Sequence, residues 1–168
     1  MFGFLVVWLF GCLVCSSINS QTTNQQSTKQ QRTNQTTTQQ PNKMKKINTE
    51  KAPGAIGPYS QAIEANGFVY TSGQLPIDPA TGAFAPGGIQ EQTRQSLTNI
   101  KAILEAAGTG MQNVIKTTVY LSDMANFAAM NEVYAQFFEA PFPARSAVAV
   151  KELPKSALVE IEVVATTK

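Results

Sequence analysis

The sequence predicts an α+β domain, built as one mixed β-sheet with two helices packed on one face. Three observations carry that reading: an Asn-Gly dipeptide between two short strand-like runs, two stretches with apolar residues at helical spacing, and closing runs that read as strands. Ser60–Glu64 and Phe68–Ser72 are the first strands, joined by Ala65-Asn66-Gly67 as a hairpin. Residues 75–88 are rich in Pro and Gly and read as loop. Across 89–107, Leu97, Ile100, Ile103, Leu104 and Ala107 form one helical face, and Gly108 supplies the stop. Val114–Leu121 is a strand by its density of Val, Ile, Thr and Tyr. Asn126 is placed to cap a second helix, whose Phe127, Met130, Tyr134, Phe137 and Phe138 make an aromatic stripe closed by Pro141 and Pro143. Such a stripe is ordinarily core. Ala144–Val150 and Ala157–Ala165 complete the sheet. With both helices on one face, the other face needs a different cover.

Composition narrows the chemistry. The 168 residues suit one domain, and 43% hydrophobic against 14% charged residues supplies a core. So low a charge also hints that part of the surface is hidden in an oligomer. A net charge of +2, from thirteen scattered Lys and Arg, is no stripe for a phosphate backbone, so nucleic acid is not an expected partner. There is no His, and both cysteines, Cys12 and Cys15, lie near the N-terminus. The globular part must therefore work without an imidazole or a thiol, and shows no evident metal site.

Residues 1–43 differ from the rest. Phe2 to Cys15 is an apolar run of signal-peptide length, though no Lys or Arg precedes it, and Leu9-Phe10-Gly11-Cys12 resembles a lipoprotein box with a bulky Phe10. Residues 1–20 are read as an export leader or lipid anchor, or as sequence upstream of a true start at Met44; the second is weighed slightly ahead. Residues 21–43 form a Gln/Thr/Asn-rich linker that is unable to bury a core. A start at Met44 implies a cytoplasmic protein, and residues 44–168 have no expected membrane association.

The last strands carry the functional signal. Alternation puts Val159, Ile161 and Val163 on one face, under the helices, and Leu158, Glu160, Glu162 and Val164 on the other. Carboxylates among apolar residues suit either a partly buried functional or inter-subunit face, or plain solvation at a sheet edge. Arg145, after Pro141-Phe142-Pro143, offers a planar fork to a carboxylate or pairs structurally with Glu160 or Glu162.

Gly57-Pro58-Tyr59-Ser60-Gln61-Ala62, Thr71-Ser72-Gly73-Gln74, Lys116-Thr117-Thr118-Val119, Pro143-Ala144-Arg145-Ser146, and Leu153-Pro154-Lys155 with Val159-Glu160-Ile161-Glu162 resemble, in order, the signatures of the RidA (YjgF) reactive-intermediate deaminases. The resemblance covers residues 44–168. It implies a chorismate-mutase-like fold, a homotrimer with sites between subunits, no cofactor, and hydrolysis of 2-iminobutanoate and 2-iminopropanoate to 2-oxo acids and ammonia, which protects pyridoxal-phosphate enzymes. It also implies the site. Arg145 binds the substrate carboxylate and Glu160 holds or activates water; Tyr59, Ser72, Gly73 and Asn131 line the substrate. Tyr59 reads otherwise as an interface residue, Ser72 as a strand-end residue bonding backbone, Gly73 as a bend or close approach, and Asn131 as helix surface. Ala147 stands where many relatives have Cys and keeps the backbone contact proposed for that position. The competing functions are a non-catalytic trimer that binds small carboxylates, and a chaperone-like protein indifferent to loss of Arg145.

Overall fold

The computed structural model describes residues 44–167; the leader and linker expected in 1–43 lie outside them. Six strands, β1 (Lys45–Ile47), β2 (Ala62–Ala65), β3 (Phe68–Thr71), β4 (Val114–Leu121), β5 (Ala144–Ala149) and β6 (Val159–Thr166), form one sheet in the order β1-β2-β3-β6-β4-β5. Only β4 and β5 run parallel. The helices are α1 (Ile89–Ala106) and α2 (Phe127–Tyr134). Leu97, Ile100, Ile103 and Leu104 of α1 and Met130 and Tyr134 of α2 join Val69, Val119, Leu121, Val159, Ile161 and Val163 in a single core, so both helices cover the same sheet face. Among the described residues no helix is long and apolar enough to cross a membrane.

The hairpin forms as its dipeptide requires. Asn66 and Gly67 both take positive φ, 53° and 79°, the condition for the tight turn that matches strand twist. Helix α1 ends before Gly108, at φ 79°.

Other details depart from expectation. Strand β1 was not foreseen: it is three residues long with only Ile47 buried, too short to show a period. Asn126 does not cap α2 with its side chain. Asp123 instead accepts from Ala125 N at 2.8 Å and starts a 3₁₀ turn, Met124–Asn126, that leads into the helix. Helix α2 stops at Tyr134, so Phe137 and Phe138 extend the stripe from the turn beyond it. In β4 the register slips at Ile115, because Val114 faces Ala165 and Lys116 faces Val164. That bulge lets both Val114 and Thr117 point inward.

Candidate active site

On β6, Val159, Ile161 and Val163 are buried under the helices, which leaves Glu160, Glu162 and Val164 on the open face. Glu160 lies opposite Tyr120 of β4. The chain at Gln74 bridges to Ile161 through Gln74 N to Ile161 O, 2.8 Å, and Ile161 N to Gln74 O, 3.2 Å. Gly73 is thereby held against Glu160. A Cβ on Gly73 would collide with the carboxylate, coming within 2.8 Å of Cδ and 3.0 Å of Cγ, so glycine here is a condition of the close approach. Burial pushes the Glu160 carboxyl above its ordinary value, and the charge of Glu162 pushes the same way. Glu162 in turn accepts from the Tyr120 hydroxyl at 3.4 Å.

Gly73 also lines a cavity of about 640 Å³, together with Tyr59, Gln61, Leu75, Ile77 and Lys155. Two buried amides hold its walls. Gln61 donates to Thr49 O, Ala52 O and Pro53 O, at 2.9, 3.2 and 2.8 Å, and accepts from Thr49 N at 2.7 Å. Asn99 donates to Leu75 O and Ile77 O at 3.1 and 2.9 Å. Tyr59 is 51% exposed, with its hydroxyl 3.4 Å from Ile56 N. Ser72 donates its hydroxyl to Ser60 O at 2.7 Å, so a bond from Ser72 to a substrate carboxylate would require giving that one up.

Arg145 stands elsewhere. Its register partner in β5–β4 pairing is Thr117, a core residue, so its side chain rises from the helix-covered face. There Nη1 donates to Asn131 Oδ1 at 2.8 Å, and the guanidinium lies 4.5 Å from the Tyr134 ring centre and 5.5 Å from that of Phe127. Because Arg only donates, Asn131 must turn its carbonyl oxygen toward it. A cavity of about 320 Å³ opens beside the guanidinium, lined also by Ala135, Phe142 and Pro143. Neither Glu160 nor Glu162 pairs with Arg145: among the described residues the one ion pair is Lys45–Glu64, at 3.2 Å. Glu160 and Arg145 thus belong to opposite faces of one sheet, and a single chain does not bring them to one substrate.

Ala147 contributes backbone. Val150 N bonds Leu121 O at 2.9 Å, and the unbroken register of β5 then turns the N–H and C=O of Ala147 toward the outer, unpaired edge of the sheet. A polar substrate atom could meet them without any need for a thiol. Tyr134 and Phe127 were read from sequence as core and not as neighbours of Arg145. The available signal was spacing: Phe127, Asn131 and Tyr134 stand at i, i+4 and i+7, so one polar residue interrupts an aromatic stripe.

A model of the RidA (YjgF) family, described as endoribonuclease L-PSP, matches residues 49–167. The chain belongs to the RidA family. It is 60% identical over 119 residues to a RutC family protein of Pyrococcus horikoshii, covering 71% of this chain and 94% of that one. A Bos taurus protein named 2-iminobutanoate/2-iminopropanoate deaminase is 53% identical over 121 residues, 72% of this chain and 88% of its own. The structure of E. coli TdcF with bound serine superposes with a TM-score of 0.71 at 48% identity, covering 74% of this chain and 99% of that chain. The sheet and its two helices are the chorismate-mutase-like fold of the RidA proteins.

The Gly73–Glu160 contact gives this RidA-family chain a sharp test. In Gly73→Ala the clash falls on the far end of a flexible side chain, which can swing away, so the melting temperature should hardly move. The carboxylate, however, would leave its place, and a displacement on that scale costs on the order of a hundredfold in a positioned reaction. If the chain turns over a 2-imino acid, as its named relatives suggest, unchanged turnover in Gly73→Ala would detach the present position of Glu160 from the chemistry.

Proposed function

We propose that this protein hydrolyses 2-imino acids, 2-iminobutanoate and 2-iminopropanoate among them, to 2-oxo acids and ammonia, and so spares pyridoxal-phosphate enzymes from a reactive product. The observation that carries this reading is the division of the site: a proton-accepting carboxylate on one sheet face, and a fixed guanidinium beside the edge strand on the other. Each is half of what an imine that bears a carboxylate needs. A second copy of the chain supplies the missing half, and a homotrimer with its open sheet faces turned inward does so three times. Exposed Tyr70 and Val148 on the open face suit that cover.

In the closed site Arg145 grips the substrate carboxylate through two N–H groups and aligns the C=N bond. Asn131, with its carbonyl oxygen given to Arg145, still has its NH₂ to donate. Outward backbone groups of Ala147 meet the substrate nitrogen. From the other subunit, Glu160 takes a proton from water as the water oxygen bonds to the imine carbon, and Tyr59 closes over the substrate. The C=N π pair passes to nitrogen, Glu160 returns its proton to that nitrogen to complete the aminol, and ammonia departs as the hydroxyl proton passes to it and the oxygen becomes the carbonyl of the 2-oxo acid. No step calls for a cofactor.

The test is a coupled assay. Threonine and threonine dehydratase generate the imine, and purified protein should clear it faster than spontaneous hydrolysis, with sedimentation giving three chains per particle. Tight binding of 2-oxobutanoate with no acceleration would leave a carboxylate-binding module instead of an enzyme.

A further inference from the structure

Arg145 is held in position by the protein's own side chains, and the device that holds it begins in the core. Thr117 Oγ1 and the Tyr134 hydroxyl are 2.9 Å apart in a buried bond, and Tyr134 is only 5% exposed. Its ring packs against Phe138 at 4.5 Å between centroids, so it is held from two sides. Burial raises the Tyr134 pKa and outweighs the bond to Thr117 and the charge of Arg145, which pull it down. The group therefore stays a neutral phenol whose ring faces the cation.

An arginine side chain free in solvent samples many rotamers, and a ligand that needs one of them bears that ordering cost. Here the guanidinium lies over the Tyr134 ring at 4.5 Å and near that of Phe127 at 5.5 Å, while Nη1 is spent on Asn131. With its charged centre over a ring and one N–H of Nη1 given to Asn131, the guanidinium keeps its other N–H groups for a ligand at the cavity by Phe142 and Pro143. We propose that Tyr134, anchored through Thr117, is a positioning residue that sets the plane of Arg145, and thereby the orientation in which the substrate carboxylate is held. The inference rests on the imine-hydrolase reading for its substrate, but the position of Arg145 is measurable without one.

The experiment compares the full-length protein with Tyr134→Leu, Tyr134→Phe and Phe127→Leu. Two quantities are read on each: the Arg145 side-chain Nε–Hε signal by NMR, and the affinity for 2-oxobutanoate by calorimetry. In the parent protein the signal should be displaced by the ring current. In Tyr134→Leu it should move to the position of a solvent-exposed arginine, with affinity down about tenfold and KM for the imine rising more than kcat falls. Tyr134→Phe keeps the ring but gives up the bond to Thr117, so both readings should fall between those of the parent and Tyr134→Leu, with affinity down about threefold. Met130→Ala, on the same helix and in the same core, should lower the melting temperature without moving either. A folded Tyr134→Leu with an unmoved Arg145 signal or unchanged affinity overturns the proposal. Should that variant not fold, Tyr134→Phe decides by the same two readings, and parent-like values of both in it overturn the proposal; Phe127→Leu measures the share of the second ring. A displaced Arg145 signal in a parent protein that neither binds 2-oxobutanoate nor clears imine would sink the functional reading while leaving the positioning role standing.

Discussion

Arg145→Lys is expected to lose about a hundredfold or more in kcat/KM for 2-iminobutanoate, although it keeps the charge. An ammonium presents a compact charge without a plane. It can touch a carboxylate, but it has no fork to fix the direction of the C=N bond relative to the water that the proposed mechanism assigns to the partner's Glu160. The structure sharpens this expectation, because the Asn131 bond and the aromatic neighbours are arranged for a flat group. Loss should appear in kcat as well as in KM, since misalignment persists after binding. Near-normal turnover in Arg145→Lys would return the residue to a purely structural role.

Glu160→Gln separates water activation from charge balance. The amide is nearly isosteric, and Arg145, on the other sheet face of the same chain, is untouched, so folding, assembly and 2-oxobutanoate binding should persist. Hydrolysis should fall by roughly a hundredfold or more, the ordinary size of general-base assistance. Were Glu160 only a counter-charge to Arg145, the variant would bind the product more tightly and turn over as before. The pH dependence follows from the raised pKa, caused first by burial and then by Glu162. Only the ionised carboxylate accepts a proton, so kcat/KM should rise with pH through a value above that of an unperturbed glutamate, and that limb should vanish in Glu160→Gln. Stability runs the other way. A carboxyl whose pKa is raised by folding binds its proton more tightly in the native state, so its ionisation costs stability as the pH climbs past the unfolded value. Glu160→Gln should therefore melt higher than the parent at neutral pH, with the difference shrinking as the pH falls through the raised value and gone below a pH of about 4.

Local chemistry wrote much of this molecule into the sequence. Asn66-Gly67 could hardly be anything but a tight turn, because both residues accept positive φ and the flanking runs favour extended chain. The apolar period of α1 and the alternation of β6 separated inner from outer faces, and Val159, Ile161 and Val163 are buried as that alternation requires. Type and order of the major elements, and the residue kinds from which a site could be made, were legible for the same reason: each depends on neighbours within a few positions.

Features that depend on distant parts of the chain were not legible. Strand β1 exists because β2 offers it an edge, not because three residues favour it. The slip at Ile115 is forced by matching β4 to β6, some fifty residues away. The aromatic stripe of α2 is core, as its spacing implies, but spacing alone does not place Arg145 against two of its rings, since that contact comes from the parallel pairing of β5 with β4. Most consequential is the separation of Arg145 from Glu160. In sequence the two look like partners on adjacent strands, open to a direct ion pair. In the sheet β4 and β6 stand between β5 and the Gly73 segment, and the side chains leave by opposite faces, so pairing register keeps Arg145 and Glu160 apart within one chain.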